Sequence, residues 1–133
     1  MQIYLIIATA LHVLATVFWA GSTFVLARSS ALGAESLWRP QLGAATVSIL
    51  SGGYLWSVLH RGQFGDSEKI LAAGIVAALV AVALQATIGL AAARAPGRNP
   101  ADPALRKRMT IIQRIGSALL ALTIICMAVS RYV

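Results

Sequence analysis

The sequence predicts an all-α protein: a bundle of four transmembrane helices running up and down, with both termini on the non-cytoplasmic side. Three observations point there. The 133 residues are 59% hydrophobic and only 11% charged, whereas a soluble domain carries about a quarter charged residues. Too little polar surface exists to cover a water-facing globule. The apolar segments are long, rich in Ala, Leu and Ile, and do not alternate, which favours helices over barrel strands. In lipid only those two structures satisfy their own backbone. Third, the basic residues are distributed unevenly between the connections.

Four spans follow in order: residues 3–27, 42–59, 70–93 and 110–130. Each approaches the ~20 residues needed to cross the hydrocarbon. The first, centred on "TALHVLATVFWAGSTFVLAR", is longer than a signal-peptide core, lacks a positive charge before it and holds His12 and Trp19. It is expected to be retained rather than cleaved. The connections are residues 28–41, 60–69 and 94–109. In the last, the Pro and Gly residues of "APGRNPADP" forbid a continuous helix. "ADPALRKR" restarts one, with Asp102 as a cap before Pro103. Residues 1–133 are thus one integral membrane domain.

Arg28, Arg39, Arg94, Arg98, Arg106, Lys107, Arg108 and Arg114 lie in or beside the first and third connections. Arg61, Lys69 and Arg131 lie on the other side, with Asp66 and Glu68. Basic residues concentrate on the cytoplasmic face, so the first and third connections are placed in the cytoplasm. The same rule accounts for the net charge of +7 without nucleic acid. The partner is the lipid bilayer, crossed several times. A homo-oligomer or a larger membrane complex is the remaining class of partner. "RKR" at 106–108 is an anchor to anionic lipid.

On the first span, Thr9, His12, Thr16, Trp19 and Thr23 recur at helical spacing and share one face. Polar side chains facing lipid are expensive, so this stripe is expected to face other helices or a cavity. His12 lies ~14 Å below the outer end at 1.5 Å per residue. An intramembrane imidazole is a functional candidate by default, as a metal or haem-iron ligand or a proton shuttle. Trp19 reads as packing or as the wall of the pocket that His12 faces.

The other spans carry weaker stripes. The second has Ser48, Ser51, Gly52 and Gly53, then Tyr54, Trp56 and Ser57, whose small residues permit close helix approach. The third has Gly74, Ala78, Ala81, Gln85 and Gly89, and Gln85 must find a partner. The fourth has Thr110, Gln113 and Ser117, with Arg114 beside them.

A haem held by both histidines would need them at similar depth. His60 ends the second span, and the heights differ by ~9–13 Å, so His60 reads as interfacial. Haem bound by His12 alone, by His12 with a non-histidine group, or between subunits stays open. Lys69 is a snorkelling anchor or a partner for a substrate or haem carboxylate. Copper transport ranks third. Cu(I) favours Cys and Met, but Met1 and Met109 fall at opposite ends and Cys126 and Met127 diverge on a helix. The lone Cys126 excludes an internal disulfide. Glu35, Asp66, Glu68 and Asp102 all fall in connections, so no carboxylate pair lies within the membrane. Neither a Ser/His/Asp set nor a phosphate loop is present, and whether the chain is an enzyme stays open.

The stretch "HVLATVFWAGSTFVLAR" resembles the first helix of a group of small bacterial membrane proteins, among them the membrane part of copper-resistance protein D and the HemJ-type protoporphyrinogen oxidases. His12, Trp19, Phe24, Leu26 and Arg28 fall where the HemJ type places His, Trp, Phe, Leu and Arg. "SEKILAAGIV" is similar to that type's Lys-bearing helix start and maps its Lys onto Lys69. Where the family has Pro-Arg, this chain has Ala27-Arg28. The resemblance implies the four-span layout and a b-type haem or porphyrin pocket with a redox role. It nominates His12 as the metal ligand, with Lys69, Trp19 and Arg28 around the cofactor. The alternative from the residues alone is a non-enzymatic small subunit or scaffold of a membrane complex. There His12 only hydrogen-bonds Gln85 or a helix carbonyl, and the Gly52–Gly53 face meets a partner.

Overall fold

In a computed structural model, which describes residues 1–94 and 103–133, four helices follow one another: α1 (Gln2–Arg28), α2 (Ala34–Leu59), α3 (Asp66–Arg94) and α4 (Pro103–Ser130). All four are long and apolar enough to cross a membrane, as a multi-pass membrane protein requires. Large apolar side chains stay exposed along every helix, among them Leu14, Leu50, Val76 and Ile125. That outer surface suits lipid and is far too apolar for water.

Contacts between the helices fix their directions. His12 meets Gly52, Thr23 meets Gln41, Gly74 meets Thr123, and Gly116 meets Gln85 and Thr23. Each pair runs antiparallel, which gives an up-down-up-down bundle with both termini at the end that carries the 60–65 turn. α1 packs on α2 and α4, and α3 packs on α4, while α2 and α3 touch least among the neighbouring helices.

Three helix starts differ from expectation, and α3 begins at Asp66, four residues before the predicted start. α2 begins at Ala34, eight residues before the predicted start, so the first connection shrinks to residues 29–33. Arg39 and Pro40 discourage a helix there, yet Pro40 sits exposed inside it. Its missing N–H costs least where water or headgroups can reach the freed carbonyl. α4 begins at Pro103, the favoured first helical position for proline. The rest of the "APGRNPADP" connection, with the Asp102 cap, lies outside the described residues.

The tight 29–33 turn is held by backbone and by arginine. Ala31 N–H reaches back to the Leu26 carbonyl at 2.8 Å. Arg106 Nη1 donates to the Ala31 carbonyl at 3.2 Å and Arg114 Nε to the Ala27 carbonyl at 3.4 Å. Two basic side chains of α4 therefore cover the C-terminal end of α1 and the turn that follows it, where the helix dipole favours cations. Ser30 and Ala31 have φ of 55° and 60°, a region costing a residue with a Cβ roughly 1–2 kcal/mol. Ser30→Gly, at the exposed one of the two positions, is expected to raise stability by up to about 1 kcal/mol, less the glycine's entropy cost, seen as a higher unfolding temperature in detergent.

Seen from the 29–33 end, the interior is layered. Leu26, Ala31, Ala34, Ile88, Met109 and Ile112 form an apolar plug. Next come the buried polar side chains of Thr23, Gln41, Gln85 and Gln113. Trp19, Ala45, Ala78, Ala81 and Leu120 form the following layer. Beyond them the bundle opens into a cavity.

Candidate functional site

The cavity has a volume of about 700 Å³, within the range of small-molecule and cofactor sites. It runs from Trp19 and Leu120 to His60, Ser67 and Arg131 at the terminal end of the bundle. Leu55, Leu59, Leu71, Ile75, Leu79 and Ile124 give it apolar walls. These come largely from α2 and α3, the neighbouring helices that touch least, so the cavity occupies the space their separation leaves.

His12 and Thr16 enter the cavity from the α1 stripe. His12 Nδ1 lies 2.8 Å from the Ser48 carbonyl and 3.3 Å from Ser51 Oγ. A carbonyl oxygen can only accept, so the neutral ring carries its proton on Nδ1 and leaves Nε2 as a bare lone pair. Nε2 has no hydrogen-bond partner among the described residues. Thr16 Oγ1 and Ser48 Oγ share a hydrogen bond of 2.6 Å, which ties the same two helices one turn deeper.

Gly52 makes this arrangement possible. A Cβ there would stand 2.9 Å from His12 Cε1 and 3.3 Å from Nδ1. Gly52→Ala is expected to swing the ring off the Ser48 carbonyl. The nitrogen NMR shifts of the His12 ring check this, and unchanged shifts would show that the ring tolerates the methyl group.

The floor of the cavity is a closed hydrogen-bond network. Trp19 Nε1 donates to Gln85 Oε1 at 2.6 Å. Gln85 Nε2 donates to Thr23 Oγ1 at 2.9 Å and to Gln113 Oε1 at 3.4 Å. Gln41 Nε2 donates to the same two oxygens at 2.7 and 3.1 Å, and Gln113 Nε2 returns a bond to Gln41 Oε1 at 3.2 Å. Thr23 Oγ1 donates to the Trp19 carbonyl at 2.7 Å. One side chain from each of α2, α3 and α4, and two from α1, thus satisfy one another out of water.

The sequence-predicted residues are divided by the structure. His12 and Trp19 line the cavity, and Trp19 is also a hydrogen-bonded strut of its floor. Lys69 lies outside the cavity, exposed and 3.3 Å from Asp66. Arg28 is exposed at the far end, its guanidinium 5.9 Å from the Phe24 ring centroid. Thr9, expected to continue the stripe inward, is exposed. His60 lines the cavity mouth rather than only the surface. It stacks on Trp56 at 5.1 Å, and its Nε2 is 3.9 Å from Glu68 Oε1. Its distance from His12 remains large: eight residues of α2 separate it from Gly52, ~12 Å of helix rise.

Gln41 was missed because the sequence reading ends its connection there. Extending α2 back to Ala34 aligns Gln41, Ser48 and Gly52 on one helical face. Among the described residues no three of His, Cys, Asp and Glu gather as a metal site. Met127 reaches the cavity, whereas Cys126 Cβ packs against Gly74. Comparison of the chain with family models, with curated proteins and with solved structures finds no match in any of the three.

Proposed function

We propose that this chain is a multi-pass protein of the bacterial inner membrane that binds a b-type haem or a related porphyrin through His12 and serves a redox role. The observation that carries the reading is the His12 imidazole. Its Nδ1–H is held by the Ser48 carbonyl and its Nε2 is left without a protein partner, in a largely apolar cavity. Metal-bound histidines are oriented in this way by the nitrogen that does not bind.

The donor set suits haem better than a bare ion. A porphyrin brings four ring nitrogens of its own, so one protein imidazole suffices. A copper or zinc site would need several gathered side chains, and among the described residues no such group of His, Cys, Asp and Glu is found. Bound haem would supply one-electron transfer. The protein's part is to orient the ligand ring, keep water out through apolar walls and seal the far end with the amide layer and plug. The likeness of the first helix to the HemJ type adds support for His12. The exposed, paired Lys69 adds none. By the positive-inside rule the cavity mouth, at the terminal end, faces the non-cytoplasmic side.

Visible absorption of mildly solubilised protein supplied with haem tests the reading. A Soret band that shifts on reduction is expected. A colourless preparation would overturn it and leave the non-enzymatic scaffold.

A further inference from the structure

Polar groups of the cavity fall into two sets with apolar wall between them. His12, Thr16, Ser48 and Thr123 lie deeper, while His60, Ser67, Ser130 and Arg131 lie at the mouth. The deep set is anchored at Gly52 and the mouth at His60, ~12 Å apart along α2. An occupant that reaches both is elongated, apolar in the middle and polar at its outer edge.

Charge at the mouth is unbalanced. Asp66 is taken by Lys69 at 3.3 Å. Glu68 Oε2 accepts the Gly65 N–H at 2.8 Å, capping α3, and Oε1 faces His60 Nε2 at 3.9 Å. Arg131 lines the cavity and has no ion-pair or hydrogen-bond partner among the described residues. His60 Nδ1 is buried and also lacks a partner. A cation that no acid neutralises and an unsatisfied ring nitrogen therefore border an apolar cavity together.

We propose that this mouth is an acid-binding subsite in which Arg131, exposed but lining the cavity, takes the carboxylate edge of the porphyrin that His12 binds, a role that Lys69, outside the cavity and paired with Asp66, does not fill. A guanidinium matches a carboxylate with two parallel N–H donors. At the edge of an apolar cavity that pair is screened less than on an open surface. The proposal rests on the haem reading for the position of the macrocycle. It adds the chemistry of the ligand's outer edge: free acid groups, directed toward the terminal end of the bundle.

The test titrates the full chain in detergent micelles with haem b and with haem b dimethyl ester, whose acids are masked. Wild type, Arg131→Gln and Arg131→Lys are compared, with helical circular dichroism as the folding control. The glutamine variant is expected to bind haem b roughly tenfold more weakly, the loss of one charge-assisted pair. The ester should bind wild type and the glutamine variant alike, and the lysine variant should recover part of the loss.

Equal haem b affinity in wild type and Arg131→Gln, with the Soret shift intact, overturns the subsite and leaves the His12 reading standing. Absence of any Soret shift in wild type overturns both. A third arm adds phosphatidylglycerol. If it displaces haem from wild type but not from Arg131→Gln, the mouth takes a lipid phosphate and the carboxylate assignment fails.

Discussion

On the proposed haem reading, His12→Ala is expected to abolish the Soret band, lowering affinity by at least ~100-fold, since even outer-shell losses reach that size. No other imidazole can substitute. His60 stands ~12 Å along α2 from Gly52 by the helical rise, and the two are the chain's only histidines. The substitution should leave the bundle folded. His12 is only half-buried, and the Thr16–Ser48 hydrogen bond of 2.6 Å still joins α1 to α2 one turn deeper. Adding free imidazole should restore part of the band by filling the space the ring vacates, which separates a lost ligand from a lost fold. A full-strength, unshifted band in His12→Ala would remove the iron-binding role from this residue.

Gln85→Leu is expected to cost roughly 2–3 kcal/mol of stability, the largest single loss outside the apolar core, because it orphans the Trp19 indole N–H. Two magnitudes compete. Hydrogen bonds between transmembrane helices are worth only ~0.6 kcal/mol on average, since the separated helices find other partners. A buried donor left bare costs ~1–3 kcal/mol. Burial decides: Trp19 and Gln85 are each 2% exposed, so no water or headgroup can replace the amide. Thr23 and Gln113 suffer less, because Gln41 still bonds both. Unfolding by SDS titration measures the loss. Trp19→Phe with Gln85→Leu should cost less than the two single changes together, by about 1–2 kcal/mol of coupling. Additivity within roughly 0.5 kcal/mol would mean that the 2.6 Å bond contributes nothing specific.

The scaffold alternative has lost part of its surface. Gly52, proposed from small-residue spacing as a face for a partner helix, is filled by the His12 ring. Gly53 keeps open space, with nothing within 4 Å of where its Cβ would be. The Gly52→Ala and Gly53→Ala variants therefore separate the two ideas. On the haem reading, affinity should respond to the first and stay unchanged in the second.

Four helices, their order and their apolar outer surface were legible in the sequence, because hydrophobic segment length responds directly to bilayer thickness. The α1 stripe was legible from His12 to Thr23, since a polar residue amid Leu, Val and Phe has few places to go. The start of α2 was not. Arg39 and Pro40 mimic a loop, and only packing of Ala34 and Gln41 against the other helices extends the helix past them. Two of the eight basic residues in or beside the first and third connections, Arg106 and Arg114, carry a second role that no charge count shows, as donors to the end of α1 and the turn after it.

By itself, then, the sequence determined that the chain is a membrane-spanning helical bundle and that His12 is enclosed or compensated. Periodicity and hydropathy are properties of single segments, and they suffice for that. Which groups meet was decided by tertiary structure alone. The Ser48 carbonyl that sets the tautomer of His12, the amide layer drawn from α2, α3 and α4, and the removal of Lys69 from the cavity all depend on the relative rotation of helices far apart in sequence. Rotation is fixed by packing between helices, and no single segment encodes it.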